Sequence, residues 1–121
     1  MSLPSMPTPL DAARLAEVCE GDHEFEKELL DEFLQSVPPL INQVREAMSA
    51  NDPELLRRAA HTLKGASSSV GATSVYHTSL ALELSARENR LDDAQELCGQ
   101  LCSAFEELVA YIPVYFGRAA A

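Results

Sequence analysis

Ala60-His61-Thr62-Leu63-Lys64-Gly65-Ala66-Ser67-Ser68-Ser69-Val70-Gly71-Ala72 is the stretch on which the reading of this chain turns. With ~3.6 residues per turn, positions i, i+3 and i+4 share one side of a helix. On a wheel with Leu56 at zero, Ala60, Leu63, Ser67 and Val70 fall within roughly ±40°, which predicts a buried stripe. His61 then lies roughly 140° from the stripe, Gly65 roughly 180°, Ser68 roughly 120° and Lys64 roughly 80°. The histidine is pushed off the core, with a cation and a missing side chain one turn away. The small residues Ala59, Ala60, Ala66 and Ser67 let neighbouring helices approach closely.

The punctuation around this helix is strong. Asn51-Asp52-Pro53 starts it: Asp52 caps, and Pro53 occupies the first helical position, where its missing N–H costs little. Gly71 stops it, because glycine adopts the left-handed conformation that a helix terminus needs. Working outward, apolar residues recur at spacings of three and four, and almost nothing reads as strand. A short helix is expected near 10–19, closed by Glu20-Gly21-Asp22. A long one follows from His23 to Ser49 with Asp22 as N-cap, kinked at Pro38-Pro39. A fourth helix spans about Ser74 to Glu88. A fifth opens at Asp92-Asp93 and runs to about Tyr111, where Pro113 disturbs it. Its core stripe (Ala94, Leu97, Cys98, Leu101, Phe105, Leu108, Ile112) fills an arc of roughly 80°.

Short connections imply antiparallel neighbours. The expected fold is all-α, an up-down-up-down four-helix bundle with a short extra N-terminal helix. The expected organisation is a flexible segment over 1–9, a bundle over 10–112 and a C-terminal tail over 113–121, frayed at Ala119-Ala120-Ala121.

Composition narrows the function. At 121 residues the chain holds one domain. A net charge of −10 disfavours nucleic acid and anionic membranes as partners and fits a protein that meets other proteins. No run approaches the ~18–20 apolar residues of a membrane span. Met1–Pro7 lacks the basic start and apolar run of a secretory signal. Cys19, Cys98 and Cys102 have no tight metal-ligand spacing and read as packing residues in a reducing, cytoplasmic compartment, although Cys98 and Cys102 stand one turn apart. No glycine-rich loop cradles a nucleotide phosphate, so a kinase is excluded.

A phosphoryl acceptor on a helix needs an exposed, neutral imidazole as nucleophile, nearby positive charge and room for a donor to approach. His61, Lys64 and Gly65 have those properties in that order. Singly, each has a plainer reading: a solvated surface histidine, a solvated lysine, a glycine at a close helix contact. The wheel sets Gly65 opposite the core, which argues against the last.

The segment Ala60-His61-Thr62-Leu63-Lys64-Gly65 with Gly71-Ala72 resembles the core motif of histidine-containing phosphotransfer (HPt) domains, and the helix order and the Leu82-Glu83 pair agree with it. The resemblance spans about Leu10 to Ile112. It implies a relay, not an enzyme with kinase activity of its own: His61 takes a phosphoryl group from an aspartate on one receiver domain and passes it to an aspartate on another. Lys64 and Gly65 would support it by charge and clearance. The implied partners are response-regulator receivers and a hybrid histidine kinase; Mg²⁺ would belong only to the receiver, with no cofactor on this chain, which reads as a monomer. Some relatives carry a basic residue after the Gly-Ala pair, where this chain has Thr73 and Ser74. Arg57 could supply that charge, or be merely solvated. Ser68 is a further candidate contact for a partner. An apolar edge of the second helix (Leu30, Leu34, Ile41) is a candidate docking patch, unless the proline kink turns it into the core. The alternative function is a helical adaptor that binds a receiver or kinase without transferring anything. A metal or cofactor site in the bundle would need inward-facing ligands, which His23, His61 and His77 do not offer.

Overall fold

The computed structural model describes residues 8–119. Helices α1 (Ala12–Cys19), α2 (His23–Ser49), α3 (Pro53–Val70), α4 (Thr73–Arg87) and α5 (Ala94–Ala119) follow in order, with one 3₁₀ turn at Leu91–Asp93. Helix α3 packs between α2 and α4, and α5 between α4 and α2, so the last four helices close a ring; α1 lies on α2 and α3. Leu30, Val37, Val44, Leu56, Leu63, Val75, Leu82, Leu101 and Leu108 fill the interior.

The helix starts are set by carboxylates. Asp11, Asp22 and Asp52 each accept hydrogen bonds from amides of the first turn they precede. Gly71 ends α3 with φ 79°, and its lack of a side chain serves twice. A Cβ there would come within 2.7 Å of the Asp11 carbonyl oxygen, and the Asp11 amide donates to the Gly71 carbonyl at 2.7 Å. The glycine thus both stops α3 and seats α1 against it.

Helix α2 runs as one helix through Pro38 and Pro39, as expected, whereas α5 does not stop near Tyr111 but passes through Pro113 as far as Ala119. All three prolines are exposed, so the carbonyls that lose a helical donor sit on the water side. The tail placed at 113–121 is therefore helix over its described part. It is also anchored: Tyr115 Oη donates to Glu26 Oε1 at 2.8 Å, and that oxygen lies 2.8 Å from His23 Nδ1. Glu26 is fully buried in the first turn of α2, where a carboxylate favours the positive helix end. Burial first, then the hydrogen bond to Glu26 and its charge, pushes the Tyr115 phenol up to about 12. In the segment expected to be flexible, the Thr8 carbonyl accepts from Thr73 Oγ1 at 2.7 Å. Residues 1–7, Ala120 and Ala121 lie outside the described residues.

Candidate functional site

The stripe Leu56, Ala59, Ala60, Leu63, Ser67 and Val70 is buried in α3, as the wheel requires. Its small members bring α4 close, and Ser67 Oγ turns back to the Leu63 carbonyl at 2.6 Å instead of claiming space. That approach decides the site. From α4, the carboxylate of Glu83, only 1 % exposed, reaches across to the edge of α3. Glu83 Oε2 is 2.6 Å from His61 Nδ1, and Glu83 Oε1 accepts from Lys64 Nζ at 2.7 Å. Arg87, one turn further along α4, places Nη2 3.7 Å from Oε2.

Burial alone would raise the Glu83 carboxyl. Hydrogen bonds from Lys64 and His61, with the charges of Lys64 and Arg87, outweigh it and hold the group below its ordinary value. An ionised carboxylate can only accept, so the Nδ1 of His61 is assigned the proton. In the neutral ring this leaves the lone pair on Nε2, which makes no hydrogen bond to the described residues. The His61 side chain is 59 % exposed. The ring is held on one nitrogen and free on the other.

Glu83 is the site residue that the sequence reading missed as such. Its signal was a carboxylate on the buried side of α4, among Val75, Ser79, Leu82 and Ala86. Such a position needs a paired cation, but which helix supplies it depends on packing.

The other candidates sort by position. Lys64 is not a free cation beside His61: its ammonium is engaged by Glu83. Gly65 is open, with nothing within 4 Å of the place a Cβ would take. Arg57 makes two hydrogen bonds to Glu54, at 3.1 and 2.7 Å. Ser68 is exposed at the far end of α3, where its carbonyl faces Arg14 of α1 at 3.4 Å. Ile41 and Leu30 are core residues, and Leu34 is half-buried. The docking edge assigned to Ile41 and Leu30 is thus corrected, because both side chains are buried among the packed helices. The exposed large apolar side chains among the described residues are Val18, Phe25, Leu84, Val109 and Val114.

Among the described residues no helix is long and apolar enough to cross a membrane. A family model described as the Hpt domain matches residues 28–111. The phosphorelay intermediate protein rdeA of Dictyostelium discoideum is 30 % identical over 105 residues, which cover 84 % of this chain and 41 % of that protein. The chain thus spans less than half the length of that relative. The crystal structure of histidine-containing phosphotransfer protein B from Pseudomonas aeruginosa PAO1 superposes with a TM-score of 0.78 at 31 % identity, covering 95 % of this chain and 96 % of that one. With His61 standing out from a four-helix ring and matches over most of its length, the chain belongs to the Hpt domain family.

Proposed function

We propose that this chain is a phosphorelay intermediate that carries a phosphoryl group on Nε2 of His61. The observation that supports this most is the Glu83–His61 contact, which fixes the tautomer and leaves Nε2 as the outward nucleophile. In the transfer, the Nε2 lone pair attacks phosphorus of a receiver's aspartyl phosphate. The P–N bond forms as the bond to the acyl oxygen breaks, and the aspartate leaves as carboxylate. The ring, still protonated on Nδ1, becomes cationic, and the Glu83 carboxylate offsets that charge. Return transfer to a second receiver reverses each step.

In this reading Lys64 and Arg87 act through Glu83, keeping it ionised while the ring is neutral. Once the ring is phosphorylated they offset phosphoryl charge. Gly65 clears the surface for the receiver. The chain supplies no kinase activity, any Mg²⁺ comes with the receiver, and the protein works as a cytoplasmic monomer between receivers and a hybrid kinase.

The test is incubation with a labelled, phosphorylated receiver domain. Acid-labile label on the wild type, absent from His61→Gln while receiver binding persists, supports the relay. Binding without any label on the wild type supports the adaptor instead.

A further inference from the structure

His23, in the first turn of α2, repeats the arrangement found at His61 with different residues. Its Nδ1 lies 2.8 Å from Oε1 of Glu26, as His61 Nδ1 lies 2.6 Å from Glu83. Both carboxylates are buried, Glu26 completely, and both imidazoles stand out: the His23 side chain is 55 % exposed. Glu26 Oε1 also accepts from Tyr115 Oη at 2.8 Å, so it acts as an acceptor and the proton is assigned to His23 Nδ1. The lone pair is then on Nε2, which makes no hydrogen bond to the described residues.

The two pairs differ in their counter-charges. Glu83 has Lys64 and Arg87, whereas among the described residues the one basic group within 4 Å of Glu26 is the His23 ring. Glu26 Oε2 is buried with no hydrogen-bond partner. A buried carboxylate in that state gains from a positive ring beside it. His23 also lines an open cleft of about 470 Å³, shared with Lys27 of α2 and with Ile112, Pro113, Phe116 and Ala119 of α5. Among the described residues no carboxylate lines it, and Lys27, one turn after His23, makes no ion pair. A cleft of that size admits a small molecule and not a folded receiver.

We infer that His23 is a second phosphoryl acceptor, for low-molecular-weight acyl phosphates, with Glu26 as its positioning residue. The Nε2 lone pair attacks phosphorus of the acyl phosphate. The P–N bond forms as the bond to the acyl oxygen breaks, and the acid leaves as carboxylate. The ring keeps its Nδ1 proton and becomes cationic, which gives Glu26 the counter-charge it lacks. Lys27 offsets the charge of the phosphoryl group, and the acyl substituent faces Ile112 and Phe116. His77 has none of this: it is exposed, makes no hydrogen bond to the described residues and meets only the Tyr76 ring edge-on. It sets the reactivity of a plain surface imidazole. The bond-making at His23 is that proposed for His61, but donor and site differ, so neither assignment depends on the other.

The experiment uses the full-length His61→Gln chain, so that label on His23 is read whether or not His61 is the relay residue. The chain is incubated with acetyl phosphate, and acid-labile phosphoryl groups are located by peptide mapping at neutral pH and by phosphorus-31 NMR. The expected result is phosphorus on Nε2 of His23, formed about tenfold faster than on His77. Adding Glu26→Gln should bring His23 down to about the His77 rate, with thermal denaturation showing that the chain is folded. Adding Lys27→Gln instead, at an exposed position, should slow His23 labelling by about threefold. An unlabelled His23, equal rates at His23 and His77, or a His23 rate that either substitution leaves unchanged in a folded chain would each overturn the assignment.

Discussion

Glu83 of α4 holds the Nδ1 of His61 on α3 at 2.6 Å while keeping its second oxygen on Lys64. One buried carboxylate therefore governs both the orientation of the imidazole and the position of the Lys64 ammonium. Replacing it tests that coupling. Glu83→Gln keeps the shape and can still accept from Nδ1, but it removes the charge that offsets a cationic ring. Phosphotransfer to His61 should slow by about tenfold or more, measured by rapid-quench labelling from a phosphorylated receiver. An unchanged rate would leave Glu83 with a packing role only.

Acid should uncouple the same cluster. The Glu83 carboxyl is held below its ordinary value of 4.5, so its contribution to stability is present above that value and lost as pH falls through the lower, folded-state value. The difference in unfolding free energy between wild type and Glu83→Gln should therefore shrink between about pH 7 and about pH 3. Denaturant titrations of the two proteins across that range read it directly. A difference that stays constant means that Glu83 is not the group titrating.

Gly65 separates stability from function. It sits inside α3 with open space around its Cα, and a mid-helix glycine costs ~1 kcal/mol against alanine. Gly65→Ala should raise the melting temperature. Gly65→Gln should leave the fold intact yet weaken receiver binding and slow transfer. If Gly65→Gln transfers at the wild-type rate, the clear surface around Gly65 has no part in docking.

The extension of α5 beyond Pro113 is a structural part of the domain. Tyr115→Phe removes the phenolic donor from the buried Glu26 carboxylate and should destabilise the bundle by about 1–3 kcal/mol. Thermal denaturation checks this, with labelling of His61 expected to persist at temperatures where the variant is folded. A melting temperature equal to the wild type's would show that the contact contributes nothing.

Local chemistry was the legible part of this chain. Asp22 and Asp52 caps, Pro53 at a helix start and Gly71 at a helix end are decided within a few residues, and the boundaries of α2 and α3 follow from them. The outward placement of His61 followed from helical period alone. What escaped depended on neighbours. Pro113 reads as a stop, but it lies on an exposed face while Tyr115, two residues on, has a buried partner on α2. The apolar edge of α2 reads as a surface patch because the sequence does not say how much of it the other helices cover. Glu83 and Lys64 are nineteen positions apart, and only the close packing of α3 on α4 makes them a pair.

Nitrogen-15 and phosphorus-31 NMR of the imidazole-labelled, phosphorylated protein tests the central claim most directly, because the two ring nitrogens give distinct couplings. A proton on Nδ1 in the free protein, with phosphorus bonded to Nε2 of His61 after transfer, is the predicted result. Phosphorus on Nδ1, or on any residue other than His61, would contradict the account.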